Sequence, residues 1–191
     1  MSVLDIGCGP DGRSIEVFLP SNYQIVGIDL FDEKEIKIDH PQFRYIKQDA
    51  QDLSRFSDGE FDLAVSIGML EHICDRVILE KVASEIIRVS KQYIIVVPWK
   101  YAWIEPHFRI PFFQLMPHNL QRALTISLNL HNLGRKVRQD RAYIPKNYQW
   151  LSNTEWRQFF AGSKVYLSPT LETIAIVKCA SICRVKGCRQ N

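Results

Sequence analysis

Three glycines within six residues, Gly7, Gly9 and Gly12, follow directly on the apolar run Val3-Leu4-Asp5-Ile6. A chain that leaves a strand and enters a helix in so short a space needs backbone angles that side chains resist, and glycine supplies them. The same turn lets a ligand approach the backbone at the start of the next helix, which residues 13–18 are expected to form. Asp29 closes the second apolar run, Gln24–Ile28, and lies 22 residues after Gly7. A carboxylate at that distance suits a ribose diol. Any tight turn recruits glycine, but three glycines, a following helix and this acid together point to a nucleoside-bearing ligand.

The rest of the first half repeats the strand–helix rhythm. Phe43–Ile46, Phe61–Ile67 and Ile94–Val97 read as further strands, and Arg76–Val89 carries Val77, Val82, Ile86 and Val89 at helical spacing. That rhythm predicts an α/β fold, a Rossmann-like, doubly wound and mostly parallel sheet. Residues 99–150 break the rhythm with Pro106, Pro111, Pro117 and Pro145, and are expected to form a helical cap inserted after the fifth strand. Within it, Leu120–Leu133 reads as a helix with Arg122, Thr125, Asn129 and Asn132 on its polar face and Gly134 as its stop. Ser152-Asn153-Thr154-Glu155 offers caps for a helix through Phe160 that ends at Gly162, and Lys164–Leu167 and Thr173–Lys178 read as a closing antiparallel pair of strands.

The 191 residues suit one domain, divided into a cofactor-binding half at 1–98, the cap at 99–150, the last helix and strands at 151–180, and a basic tail at 181–191. No apolar run approaches the ~20 residues of a membrane-spanning helix, and no signal-peptide pattern is visible at the start. The five cysteines, Cys8, Cys74, Cys179, Cys183 and Cys188, show no C-x-x-C spacing, which argues against a zinc knuckle or a secreted disulfide scaffold and for a reduced, cytoplasmic chain.

The net charge of +3 hides an asymmetry. Residues 1–99 hold 10 Lys and Arg against 17 Asp and Glu, residues 100–146 hold 8 against 2, and residues 147–191 hold 6 against 2. The acidic half and the basic half are expected to do different work. Basicity this modest makes no case for nucleic acid as a partner.

The glycine spacing alone also fits a nicotinamide dinucleotide. Three features separate the readings. Asp5 lies under the turn, where a carboxylate suits an ammonium group better than a pyrophosphate. Gln48-Asp49-Ala50 follows the third strand and suits an adenine amino group. Phe61–Ile67 runs into Gly68-Met69-Leu70-Glu71-His72-Ile73 at the mouth of the fourth strand.

On VLDIGCGPDG, VGIDL and FDLAVSIGMLEHI, the sequence resembles the class I S-adenosylmethionine-dependent methyltransferases, and within them the small-molecule group called type 11, over residues 3–98. The resemblance implies a seven-stranded sheet with an antiparallel last strand, S-adenosyl-L-methionine as cofactor and S-adenosyl-L-homocysteine as product. It implies that Gly7, Cys8 and Gly9 approach the cofactor and that Asp5 holds its amino acid end. Asp29, with Leu30 beside it, would take the ribose hydroxyls, Asp49 and Ala50 the adenine, and Ser66 and Ile67 the methionine side. Relatives usually carry helices before the first strand, so either the start of this sequence is truncated or another segment or subunit is expected to cover the site here.

Methyl transfer is an in-line displacement that asks mainly for alignment in a dry pocket, with a base only for an acceptor of high pKa. His72 and His107 are the candidate catalytic residues. His72 reads either as pocket lining or as packing. His107 lies in Trp103–Phe113, which resembles the "EPH…lP" segment of type 11 relatives that act on sugars or lipid-linked acceptors. Tyr101, Glu105, Arg109 and Tyr143 are weaker candidates, Glu105 reading as a turn cap. The apolar residues of 120–133 beside Arg135, Lys136, Arg138 and Arg141 suit either a lid on the sheet or a peripheral membrane contact. Oxygen methylation of a small-molecule or glycan/lipid-linked acceptor is the expected activity, and the basic cap suits an anionic acceptor; a non-catalytic cofactor-binding subunit and an NAD(P)-dependent oxidoreductase are the rivals. A dimer is compatible with these features.

Overall fold

A computed structural model describes residues 1–12 and 23–179. The helix expected over 13–18, the tail 181–191 and Cys183 and Cys188 lie outside the described residues. Seven strands form one sheet: β1 (Ser2–Ile6), β2 (Gln24–Asp29), β3 (Phe43–Lys47), β4 (Phe61–Ile67), β5 (Ser90–Pro98), β6 (Lys164–Leu167) and β7 (Thr173–Lys178). Their order is β3-β2-β1-β4-β5-β7-β6. The first five run parallel, and β7 pairs antiparallel with both β5 and β6.

The central strand explains its own position. Val3, Leu4, Asp5 and Ile6 are all buried, as a strand covered on both faces requires. β1 pairs with β2 on one side and β4 on the other, so the sheet changes its direction of growth there. In such sheets the crevice beyond the carboxyl ends of the strands at the switch is where ligands bind.

Helix α1 (Arg76–Val89) covers one face of this region. Asp75 caps it, accepting from Val77 N at 2.8 Å and Ile78 N at 3.2 Å. Leu79, Val82, Ala83, Ile86 and Val89 enter the main core with Leu4, Ile6, Tyr93, Ile95 and Trp156. Val77, expected on the apolar face, instead points outward and is 74% exposed.

The cap departs from its expected form. Helix α2 (His118–Ser127) stops short, and Asn129, His131 and Asn132 adopt left-handed backbone angles around a single 3-10 turn at Leu130–Asn132. Asparagine tolerates that region better than most residues, and the Asn129 side chain accepts from Gly134 N at 3.1 Å. Gly134 therefore opens α3 (Gly134–Gln139) rather than closing a long helix. The expected polar face is also turned inward at Thr125, which is buried and donates to Gln121 O at 2.8 Å, while Leu120 and Leu128 are exposed. With α4 (Tyr143–Asn147), these elements enclose a second apolar cluster built from Phe108, Phe113, Leu133, Val137, Ile144 and Tyr148.

Helix α5 (Asn153–Phe159) begins as expected, with Ser152 and Glu155 forming a reciprocal capping box, and it buries Trp156 and Phe159. Hydrogen bonds from Ser152 hold the Glu155 carboxyl down at about 2, against an ordinary 4.5. A carboxyl lowered on folding stabilises above its unfolded value and loses that contribution as pH falls through its folded value. Ser152→Ala should cost about 1 kcal/mol at neutral pH. The gap in melting temperature between it and the unsubstituted protein, followed by circular dichroism, should narrow between pH 4.5 and about 2.

Candidate active site

The turn after β1 is tied to the end of β2. Gly7 N and Cys8 N both donate to Ile28 O, at 2.9 and 3.2 Å. The Asp29 carboxylate accepts from Gly9 N at 2.9 Å and from Leu30 N at 2.7 Å. Tyr45 braces the same strand end by donating to Asp29 O and Phe31 O at 3.0 and 2.7 Å. Gly7 has φ +74°, and a Cβ there would stand 2.5 Å from Met69 Cγ. Gly9 has φ +64°, and no atom of the described residues outside its chain neighbours lies within 4 Å of such a Cβ. The first glycine is required by packing; the second meets no such contact among the described residues.

Asp5 is fully buried in β1 beneath this turn. Cys8 is buried too, and burial first, then the charges of Asp5 and Asp29, push its thiol up to about 12. It is a packed thiol, not a nucleophile.

A cavity opens at the carboxyl ends of β1 and β2. Of the residues expected at a cofactor, Gly7, Asp29, Leu30, Asp49 and Ala50 line it, whereas Asp5, Cys8, Gly9, Ser66 and Ile67 do not. Ser66 is buried, with no hydrogen-bond partner for its Oγ among the described residues, and Ile67 is exposed at the end of β4. The Asp49 carboxylate accepts from Gln51 N at 2.8 Å and Gln51 Nε2 at 3.1 Å. Met69, Ile73, Ile78 and Val82 add an apolar side to the wall. Sequence reasoning missed these four, although Ile78 and Val82 stand one helical turn apart on α1. The group implied by the resemblance fits this cavity: its walls are apolar, Leu30 is a 64% exposed apolar side chain at the edge, and Asp29 offers the remaining lone pairs of a carboxylate.

A second group of side chains gathers behind Met69. The 3-10 turn Leu70–His72 sends His72 N to Met69 O at 3.0 Å. Glu71 is 2% exposed, and neither carboxyl oxygen has a hydrogen-bond partner among the described residues. Its carboxyl is pushed up to about 7, chiefly by burial. Glu71 Oε1 lies 3.6 Å from His107 Nε2. Glu105, fully buried, accepts from His107 Nδ1 at 2.8 Å, Trp150 Nε1 at 3.1 Å and Phe108 N at 2.6 Å. Burial favours the neutral form of each member of the Glu105–His107 pair, but their mutual hydrogen bond and charges win, lowering the Glu105 carboxyl and raising the His107 imidazole. Glu105 is thus far more than the turn cap that its place before Pro106 suggested.

His72 sits at the rim, its Nδ1 donating to Asn147 O at 2.8 Å and its ring 5.3 Å from that of His107. Tyr148 packs edge-on against both rings, at 5.0 and 5.2 Å. The weaker candidates do not join the cluster through any of these contacts: Tyr101 packs on Trp99, Arg109 is exposed, and Tyr143 receives Lys136 over its ring.

Residues 4–95 match a family model described as a methyltransferase domain. A methyltransferase of Archaeoglobus fulgidus dependent on S-adenosylmethionine superposes with a TM-score of 0.60 at 16% identity, covering 92% of this chain and 84% of that one. One from Methanosarcina mazei gives 0.56 at 17% identity, with 92% and 90% covered. The 1,6-didemethyltoxoflavin-N1-methyltransferase of Burkholderia thailandensis, solved with its substrate and S-adenosylhomocysteine, gives 0.55 at 14% identity, with 92% and 69% covered. No curated protein matches the chain. At these identities the solved structures show a shared fold, and the segment matched by the methyltransferase-domain model is 92 of the chain's 191 residues.

The two glycines should separate in stability. Against the described residues, Gly9→Ala adds left-handed strain and no collision, about 1 kcal/mol. Gly7→Ala adds that strain and a collision with Met69, and should cost about 3 kcal/mol or more. Urea denaturation of the two variants measures the difference.

Proposed function

We propose that the protein transfers the methyl group of S-adenosylmethionine to an oxygen of a small-molecule or glycan/lipid-linked acceptor. The observation that carries this reading is the position of one short turn. Met69 and Ile73 line the cavity beside Asp29, while Glu71 and His72 between them meet His107. Donor cavity and titratable cluster therefore share a wall one residue thick.

In this reading Asp29 holds the ribose hydroxyls and Leu30, Asp49 and Ala50 border the adenine, with Gly9 leaving the backbone open to the ligand. Asp5, Cys8 and Gly7 shape the turn, and Ser66 and Ile67 border the methionine side. When bound, the cofactor supplies an electrophilic methyl group on a positively charged sulfur. The chain's part is to align the acceptor, exclude water and draw off its proton. His107 and His72 meet the acceptor, and Glu105 fixes the His107 ring. The antiparallel ending of the sheet supports the methyltransferase reading over a nicotinamide dehydrogenase, whose dinucleotide-binding sheet is parallel throughout.

An anionic or lipid-linked acceptor is supported by the basic surplus of the cap and by its exposed Trp103, Phe112, Leu115 and Leu120. Among the described residues no helix is long and apolar enough to cross a membrane, so any lipid contact of those residues would be peripheral. Flotation with anionic vesicles tests it: co-migration supports a lipid-linked acceptor, and protein left at the bottom of the gradient argues for a free one.

Asp29→Ala should weaken S-adenosylhomocysteine binding by ~1–3 kcal/mol in calorimetry, through the lost ribose hydrogen bonds. Unchanged affinity would remove Asp29 from the ribose site, and stabilisation by NAD(H) without stabilisation by S-adenosylhomocysteine would reverse the class of ligand. In methyl-transfer assays against an acceptor panel, His107→Asn should lower turnover by roughly 10²-fold or more. Its affinity for S-adenosylhomocysteine should stay unchanged.

A further inference from the structure

Three groups at the shared wall have an arrangement that acceptor binding alone does not require. Glu71, His72 and His107 each bring a potential ligand atom within 4.8 Å of the others. Glu71 is buried, and neither of its oxygens has a hydrogen-bond partner among the described residues. A buried carboxyl left this way is costly unless something in the site engages it. Both imidazoles are held from behind. His72 Nδ1 donates to Asn147 O and His107 Nδ1 donates to the Glu105 carboxylate, each at 2.8 Å. A proton fixed on Nδ1 leaves Nε2 as the lone-pair nitrogen of a neutral ring. A carbonyl or carboxylate behind each ring is the usual outer support of a metal-binding histidine.

We propose that Glu71, His72 and His107 bind a first-row divalent transition metal ion of the zinc type, with Glu105 and the Asn147 carbonyl orienting the two imidazoles. Two nitrogen ligands and one carboxylate favour zinc, or a neighbour of similar softness, over magnesium or calcium, which take oxygen. Such ions bind these atoms at about 2.0–2.2 Å, so the three side chains draw inward by small rotations when the ion enters. Three protein ligands leave a coordination position open for water or an acceptor oxygen. His107 remains partly exposed and His72 stands at the rim, so the ion can reach the cluster from the cap side. With the ion in place both Nε2 atoms are ligands, and an acceptor hydroxyl on the open position would lose its proton to solvent under the ion's charge. That consequence rests on the methyl-transfer reading; ion binding does not.

The test uses the whole, untagged chain, freed of metal with a chelator. Zn2+ is titrated in competition with a chromophoric chelator, and Co2+ binding is followed in the visible spectrum. The expected result is one saturable site, with visible cobalt bands and no thiolate charge-transfer band. Glu71→Gln, His72→Asn and His107→Asn should each weaken Zn2+ by about 10–100-fold, and Cys74→Ser, two residues beyond His72, should leave it unchanged. Circular dichroism of the metal-free variants reads folding separately. X-ray absorption of the Zn2+-loaded, unsubstituted protein needs no variant and should show a shell of nitrogen and oxygen with imidazole scattering. No saturable binding, a sulfur shell, or affinity that survives all three ligand substitutions would overturn the site. Binding of Zn2+ without binding of S-adenosylhomocysteine would leave the metal site standing and remove the methyl-transfer reading instead.

Discussion

One backbone carbonyl, that of Ile28, receives two donors from the turn after β1, and the next residue's carboxylate receives a third and fastens its own strand end with a fourth. These bonds set the first and second strands in fixed register just where the sheet reverses its direction of growth. The left-handed glycines are what allow the amides of Gly7, Cys8 and Gly9 to converge there. The cavity beside Asp29 exists because this turn is pulled down onto β2 instead of filling the crevice. Asp29 thus has a structural duty as well as the ligand-binding one proposed for it, and the two use different lone pairs of one carboxylate.

The second dependence runs through residues 69–73. Met69 packs on Gly7 from one side, while its neighbours Glu71 and His72 face the cap. Gln149 stitches the same turn to the cap, its backbone N donating to Glu71 O and its side chain to Leu70 O and Ile73 O. The cap is therefore fastened to the wall of the cavity beside Asp29 through hydrogen bonds to residues 70–73.

The sheet was legible because β-branched, apolar runs of strand length alternate with short turns, a local signal that packing did not overrule. Helix α1 fell on its expected bounds because Asp75 is a strong cap and Ser90 begins the next strand. The cap helix was misread for two physical reasons: asparagines that tolerate left-handed angles ended it early, and Thr125 became buried by satisfying its hydroxyl within the helix. The site was half legible. Asp29, Asp49 and Ala50 follow strands and reach the cavity, but Glu71 and Glu105 looked like ordinary loop acids. Trp150 and Phe108 N close on Glu105, and Gln149 of the cap binds the backbone at Glu71, contacts that sequence spacing does not record.

The proposed function requires that the crevice beside Asp29 take the adenosyl group and that the shared wall turn its reactive end toward His107. A crystal structure of the protein with S-adenosylhomocysteine tests both at once. The expected complex has ribose hydroxyls on the Asp29 carboxylate, adenine between Leu30 and Ala50, and the sulfur on the side of Met69 that leads to Glu71 and His107. An adenosyl group bound elsewhere, or a sulfur directed away from that cluster, would contradict it.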